Sequence, residues 1–368
     1  MVLLLCQRYF EKQSVKRVNT KNLIWLGENS FTRLQSLIKE GDFSSVFFLV
    51  DENTHDLCLP YLLQSLADLP RCEVLEVEAG EDTKSPEVLV QLWVVMSELQ
   101  ADRHTLVVNL GGGVVTDLGG FLASTYMRGL PFVNVPTSLL AMVDASNGGK
   151  NGINLSQFKN RVGLFQQPEA VCVVADFLET LPRRELRSGF AEMLKHGLIA
   201  SADYWEELKE YNIELDVPTE GMIARSIDIK QKFIDSDFKE KGPRKALNFG
   251  HTIGHSIESL SHTADNPLLH GEAIALGMIA ETYLSEKYAA LSDEQSSEIR
   301  GVLQRFFDGV SFQSTSDALL EVIRGDKKNK NGELRFSLIT HIGKAVVDVP
   351  VSDEDIVEAL TLAKIVEE

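Results

Sequence analysis

Two imidazoles one helical turn apart are the first sign of chemistry in this chain. His251 and His255 lie in Asn248-Phe249-Gly250-His251-Thr252-Ile253-Gly254-His255, and a four-residue spacing sets both on one face of a helix. His270-Gly271-Glu272 opens a later helical pattern, and Glu192 lies on an earlier one. Three imidazoles and a carboxylate in a helical region can hold a divalent cation, and a Glu/His/His set with open positions suits zinc or a similar Lewis acid. A bare H-x-x-x-H more often caps or bonds neighbouring helices, so that role stays open. No glutamate follows His251 as in H-E-x-x-H, so a metalloprotease would lack its general base.

A second signal sits at a strand-to-helix junction. Val107-Val108-Asn109-Leu110 runs into Gly111-Gly112-Gly113-Val114-Val115-Thr116-Asp117. Glycines there let the backbone approach a ligand, and the helix N-terminus that follows attracts phosphate. A plain tight βα turn uses the same glycines, and Thr116 stands where the strict dinucleotide fingerprint has its third glycine. Two other loops favour a nucleotide. Asp51-Glu52-Asn53 ends an earlier strand, where an acid can hold a ribose hydroxyl, and Gly80-Glu81-Asp82-Thr83-Lys84 follows another strand. The C-terminal ends of strands in an open α/β sheet converge on one crevice.

The chain carries 54 acidic against 36 basic residues, a formal net charge of −18. A field of that sign repels nucleic acids and anionic membranes, so neither is expected as a partner. Against it, Lys150, Lys159, Lys195, Lys230 and Arg244 stand beside glycine turns and the candidate metal residues. Each alone reads as a solvated surface charge. Together they suit a small anionic, phosphate-bearing substrate drawn into a negative protein.

The elements that must position these groups are legible from periodicity. Apolar, β-branched runs at 23–26, 46–50, 72–77, 105–110, 132–135 and 170–174 predict strands, alternating with helical patterns at 28–39, 54–67 and 85–100. That alternation implies βαβ units and a mostly parallel sheet. From about Leu181 helical spacing dominates, through Leu186–Ile199, Gly221–Ile234, Ala246–Leu260 and Gly271–Leu284, with more helix after Ser292. Leu334–Ile339 and Ala345–Val349 predict a late hairpin. The expected architecture is an α/β, Rossmann-like N-terminal domain (residues 1–180) and a mainly α-helical C-terminal domain (residues 181–368). A hydrophobic content of 44% supports two cores. The four cysteines are scattered without a C-x-x-C pair, the Met1–Cys6 apolar run is too short for a signal peptide, and no segment spans a bilayer. A reduced, cytoplasmic location is the expectation.

Taken in order, the motifs resemble one family. They are Gly111-Gly112-Gly113-Val114 with Asp117, Pro136-Thr137-Ser138-Leu139-Leu140-Ala141, and Val143-Asp144-Ala145-Ser146 with Gly148-Gly149-Lys150. Lys159-Asn160, Thr180-Leu181-Pro182 and Gly189-Phe190-Ala191-Glu192 follow, then Leu247-Asn248-Phe249-Gly250-His251-Thr252 and His270-Gly271-Glu272-Ala273. From about Asp51 to Lys328 the chain is similar to the 3-dehydroquinate synthases. The resemblance implies a shikimate-pathway lyase that converts 3-deoxy-arabino-heptulosonate 7-phosphate to 3-dehydroquinate and phosphate. The implied course is transient oxidation by NAD, phosphate elimination, re-reduction and intramolecular aldol closure, with zinc or cobalt as the metal.

The resemblance also implies residue roles. Glu192, His251 and His270 would hold the metal, leaving His255 unmetallated, in the proton-transfer network with Lys195. Asp144, Lys150, Asn160, Lys230, Arg244 and Asn248 would bind substrate, with Glu240 in the same network and Lys328 favoured over Lys327 as a further lysine. Arg128 would reach the phosphate in a neighbouring subunit's site, implying a homodimer. For NAD the implied contacts begin with Asp51, Asn53, Glu81 and Lys84. They continue with Gly112, Gly113, Val114 and Asp117, then Thr137, Ser138, Leu140, Lys150 and Lys159, and end with Phe177, Thr180, Leu181 and Glu185. The chain departs from the family pattern at Thr116, Ser138, Asn147 and Asn151. The two asparagines flank Lys150 and bear on substrate fit; Ser138 keeps a hydroxyl. Sister sugar-phosphate cyclases differ on the carboxylate side of the substrate, where Lys230, Asn248 and His255 are here of the dehydroquinate type. Metal-dependent polyol dehydrogenases use an aspartate and more histidines, which Glu192 with Lys195 argues against.

Overall fold

Val46, Phe48 and Val50 alternate with Phe47 and Leu49 on the two faces of one strand, and all five are fully buried. A strand apolar on both faces needs helices on both sides, the usual setting of a parallel sheet. The computed structural model describes residues 24–27, 29–155, 158–262, 266–325 and 334–366. The Met1–Cys6 run, Lys327 and Lys328 lie outside them.

Six parallel strands form the sheet: β1 (Ile24–Leu26), β2 (Ser45–Asp51), β3 (Arg71–Val77), β4 (Thr105–Gly111), β5 (Phe132–Pro136) and, later in the chain, β8 (Ala170–Val173). Their order is β1-β8-β5-β4-β2-β3. From β2 the chain moves outward to β3, whereas from β4 it moves the other way to β5. The C-terminal ends of β2 and β4 therefore flank a topological switch point, where α/β sheets open a ligand crevice. Asp51 and Gly111 are those ends.

Between β5 and β8 lies an antiparallel hairpin, β6 (Lys150–Leu155) and β7 (Phe158–Phe165), which the sequence pattern did not predict. Gly152 pairs with Gly163 at its centre, and paired glycines read as loop rather than strand. The predicted helix at 54–67 is instead two short ones, Glu52–Leu57 and Leu59–Gln64. Pro60 starts the second, since proline suits a first turn and not a helix interior.

Beyond β8 the chain is mostly helical, with Arg183–Ala200, Glu220–Ser236, His251–Ser261 and His270–Ala289 the helices nearest the site. The expected continuous helix Ala246–Leu260 divides into a 3-10 turn, Pro243–Asn248, and the helix His251–Ser261. Gly250, at φ +79°, makes the break. A Cβ on Gly250 would lie 2.3 Å from Met278 Cγ, and one on Gly277 would lie 2.1 Å from the Gly250 carbonyl. Bare backbone there lets the helices carrying His251 and His270 cross in contact. The late hairpin is present as β9 (Leu334–His341) paired with β10 (Lys344–Val351). One apolar cluster joins Phe48, Val108 and Val133 of the sheet to Phe190, Trp205 and Ile274 of the helical half. Among the described residues no helix is long and apolar enough to cross a membrane.

Candidate metal and nucleotide site

Glu192 is fully buried on the Arg183–Ala200 helix. Its Oε1 lies 3.5 Å from His251 Nε2 and 3.4 Å from His270 Nε2. Each ring is turned by a partner at its other nitrogen. His251 Nδ1 lies 3.1 Å from the Phe249 carbonyl, which can only accept, so that nitrogen carries the hydrogen. His270 Nδ1 lies 3.3 Å from Glu258 Oε2. Both Nε2 atoms are thereby aimed at Glu192, the outer-shell arrangement that orients metal-binding histidines.

Neither Glu192 oxygen has a hydrogen-bond partner among the described residues, although the Lys195 ammonium forms an ion pair with it. Burial opposes its ionisation, but Lys195 and His270 outweigh that and pull the carboxyl down to about 2. Burial likewise opposes charge on His270, and Glu258 and Glu192 overcome it, raising that imidazole to about 10. The protein thus places a fixed anion against an imidazole held charged, a position a dication can take over from a proton. The donor set fits a divalent metal of the zinc or cobalt type. His255 stands close by, its ring centroid 5.0 Å from His251 and 5.8 Å from His270. The three imidazoles also converge within 4.8 Å, so geometry alone would admit His255 as a ligand. The position of Glu192, buried with the Nε2 atoms of His251 and His270 turned toward it, favours the carboxylate.

The predicted cations gather next to this corner. Asp144 sits in the π-helical turn Ala141–Ala145, with Lys230 Nζ 2.6 Å from its Oδ1. Burial works against the Asp144 charge, but Lys230 and Lys195 outweigh it and hold the carboxyl well below the usual range. Arg244 is buried, donating to the Phe238 carbonyl at 2.7 Å, while its Nε finds no partner among the described residues. Glu240 accepts from Asn248 Nδ2 at 2.6 Å and pairs with Lys150. Asn160, at φ +52°, donates its N–H to Asn154 Oδ1 at 2.9 Å. Lys159 Nζ reaches across to Glu258 Oε1 at 2.8 Å.

The glycine turn adjoins this cluster. A Cβ on Gly113 would meet Ala145 at 3.2 Å, and one on Gly112 would meet Ser138 Oγ at 3.4 Å. Gly112 caps the helix Gly113–Thr125, which carries Val114 and Asp117. Thr137 donates its N–H to Gly111 at 3.0 Å, tying β4 to β5 beneath the turn. Lys84 Nζ meets Asp117 Oδ2 at 2.5 Å, and Glu81 Oε1 accepts from Asn154 at 2.8 Å. Asp51 caps its own helix, accepting from the Thr54 N–H at 2.8 Å, with Asn53 exposed beside it. Gly189 allows the Glu192 helix to lie directly on Leu140, since a Cβ there would be 2.5 Å from the Leu140 nitrogen. Thr180 Oγ1 donates to the Phe177 carbonyl at 3.2 Å, and Leu181 and Glu185 follow. The Phe177 ring itself is buried against Phe31 and Tyr61, so Phe177 can offer a ligand only its backbone. Burial lifts the Glu185 carboxyl above its ordinary value.

Arg128 is not brought here. It follows the far end of Gly113–Thr125, about 20 Å from the glycine turn at 1.5 Å per residue. Four residues near the site went unnoticed in the sequence. Glu258 is the third member of the face that holds His251 and His255, a periodicity that was readable. Asn154 ties the Glu81 loop to Asn160. Glu281, from the crossing helix, accepts from the Gly250 and Ile253 N–H groups at 2.6 and 3.1 Å and so fixes the start of the His251 helix. His196, fully buried, lies 2.6 Å from Ser226 Oγ and within 4.8 Å of Asp144 and Glu192 ligand atoms. Burial and Lys195 pull it down to about 3, which keeps it neutral. Of the departures, Asn151 ties the base of the hairpin by donating to Gln166 O at 2.8 Å, and Thr116 Oγ1 donates back to Gly113 O at 3.1 Å.

With this geometry in hand, the family models and the curated relatives point to one family. Residues 74–188 match the family model "3-dehydroquinate synthase N-terminal" and residues 189–329 match "3-dehydroquinate synthase C-terminal". A 3-dehydroquinate synthase of Parabacteroides distasonis is 39% identical over 332 residues, covering 89% of this chain and 94% of the relative. Among solved structures, a 2-deoxy-scyllo-inosose synthase complexed with carbaglucose-6-phosphate, NAD+ and Co2+ superposes with a TM-score of 0.80 at 25% identity, covering 92% of this chain and 95% of that one. A 2-epi-5-epi-valiolone synthase from Streptomyces hygroscopicus subsp. jinggangensis, with NAD+ and Zn2+ bound, gives 0.78 at 25% identity, covering 95% and 98%.

Proposed function

The chain belongs to the 3-dehydroquinate synthase family, and from that premise we propose how its residues divide the work. It is a phosphate-eliminating carbon–oxygen lyase of the shikimate pathway, serving aromatic amino acid biosynthesis. It converts 3-deoxy-arabino-heptulosonate 7-phosphate to 3-dehydroquinate and phosphate, with NAD and a divalent metal, zinc or cobalt, as cofactors. When bound, NAD supplies a reversible hydride acceptor and the metal supplies Lewis acidity at the substrate hydroxyls.

The residues take these roles. Glu192, His251 and His270 hold the metal. Lys150 and Asn160 hold the substrate phosphate, joined by Arg128 from the second subunit of a homodimer. Lys230, Arg244, Asn248, Asp144 and Glu240 orient the carboxylate and hydroxyls, with Lys328 as a further substrate lysine. Lys230 is already paired with Asp144, and groups preset in this way need little reorganisation during the reaction. His255 and Lys195 move protons at the substrate oxygens, imidazole being suited to neutral pH. The loops at 51–53, 81–84, 112–117, 137–140 and 177–185, with Lys150 and Lys159, receive NAD. Residues 1–180 serve as the nucleotide domain and 181–368 as the metal and substrate domain of a cytoplasmic enzyme. One observation supports this reading above the rest: the buried carboxylate of Glu192, ion-paired with Lys195, with the Nε2 atoms of His251 and His270 turned toward it.

The test supplies NAD, zinc or cobalt and the heptulosonate phosphate, and follows phosphate release and product mass. Phosphate release with NAD needed only in catalytic amount is expected. Cyclisation of sedoheptulose 7-phosphate or glucose 6-phosphate instead would point to a sister cyclase, and stoichiometric NADH from simple polyols to a dehydrogenase. The subunit contribution of Arg128 has its own measurement. Arg128→Ala and Lys195→Ala proteins, each inactive alone, are expected to regain activity in mixed dimers, because one site of each hybrid is intact. No recovery on mixing would remove Arg128 from the partner's site.

A further inference from the structure

Glu258 is one carboxylate serving two masters. Its Oε2 accepts from His270 Nδ1 at 3.3 Å, and its Oε1 accepts from Lys159 Nζ at 2.8 Å. The side chain is 8% exposed, so its charge is screened little by water. Lys159 comes from β7 of the sheet half, whereas Glu258 and His270 come from two helices of the other half. Resting on the reading above, in which Lys159 meets NAD and His270 binds the metal, we propose that Glu258 couples the two cofactor sites so that each ligand tightens the other.

The sign follows from how one anion is shared. While Lys159 holds Oε1, part of the carboxylate's charge is neutralised and less of it polarises His270. A phosphate that draws Lys159 away leaves Glu258 to His270 alone, and a stronger acceptor at Nδ1–H makes Nε2 a better metal donor. In the other direction, a dication on Nε2 makes Nδ1–H more acidic and pulls Glu258 toward His270. It also adds positive charge near Lys159, and both effects release the ammonium to an anion. The two directions agree, as linkage requires.

Chelator competition measures the zinc or cobalt affinity of the full chain with and without saturating NAD. In the unaltered protein NAD should tighten metal binding by about fivefold or more, within the usual range of coupling energies. Glu258→Gln keeps an acceptor for His270 but not the charge, so the ratio with and without NAD should fall to about one, on top of a weaker metal site. Lys159→Gln acts from the other side and guards against a folding defect at 258. Without NAD it should bind metal nearly as tightly as the NAD-saturated unaltered protein, with little further response. A purely structural role for Glu258 would change the affinities and leave the ratio intact. A ratio of one in the unaltered protein, or a full ratio kept in both variants, overturns the coupling alone. Failure of the unaltered protein to bind NAD or metal at all overturns the functional reading, and the coupling with it.

Discussion

Replacing His270 by alanine is expected to abolish metal retention and activity together. The ring's Nε2 lies 3.4 Å from Glu192 Oε1, beside that of His251 at 3.5 Å. It is preset by Glu258, so the neighbouring groups are arranged around it and cannot readily substitute. His255 is the nearest spare imidazole, its centroid 5.8 Å from that of His270, but the proposed division of work gives it proton transfer, and one ring cannot fill both places. A fall in kcat/KM of about a thousandfold or more is expected, about 4 kcal/mol of transition-state stabilisation at 1.36 kcal/mol per factor of ten. Metal content after dialysis, measured beside activity, separates ligand loss from a general defect. Full metal occupancy in the alanine variant would remove His270 from the ligand set.

Lys195→Met is expected to have its largest effect on the metal-free protein. Lys195 and Glu192 form an ion pair with side chains 1% and 0% exposed. Breaking a buried pair by removing one partner costs about 3–5 kcal/mol, because the remaining charge stays desolvated. Methionine keeps most of the volume, so packing contributes little to the loss. A dication bound at Glu192 would neutralise the stranded carboxylate. Thermal unfolding should therefore show a large drop without metal and a much smaller one with zinc or cobalt added. Activity should remain low even in the metal-bound variant, by about 10²- to 10⁴-fold, if Lys195 has the proton-transfer role proposed for it. Equal destabilisation in both states would mean that Glu192 does not face the metal.

The strands were legible because burial on both faces writes itself as unbroken apolar runs, such as Val46–Val50. The hairpin was not, since its central pair is Gly152 against Gly163 and neither has a side chain to mark a face. The start of the His251 helix was hidden for a similar reason: Gly250 ends one element and begins another through a positive φ, which composition does not reveal. For the metal corner, local spacing offered His251 and His255, one helix and one face. Glu192 and His270 come from other helices, and only the family resemblance separated their role from that of His255. Glu258 was readable as the next residue on the same face. What it does depends on Lys159, 99 positions away, and pairing over such a distance leaves no periodic trace. His196 and Glu281 belong with it, as buried polar groups whose partners only folding supplies.

Gly189 sets the helix of Glu192 against the main chain at Leu140 with no side chain between them. Such a seam has no cushion to compress and no lever to extend. Any side chain placed at 189 would have to push that main chain aside, and the carboxylate one turn further along the helix would be displaced with it.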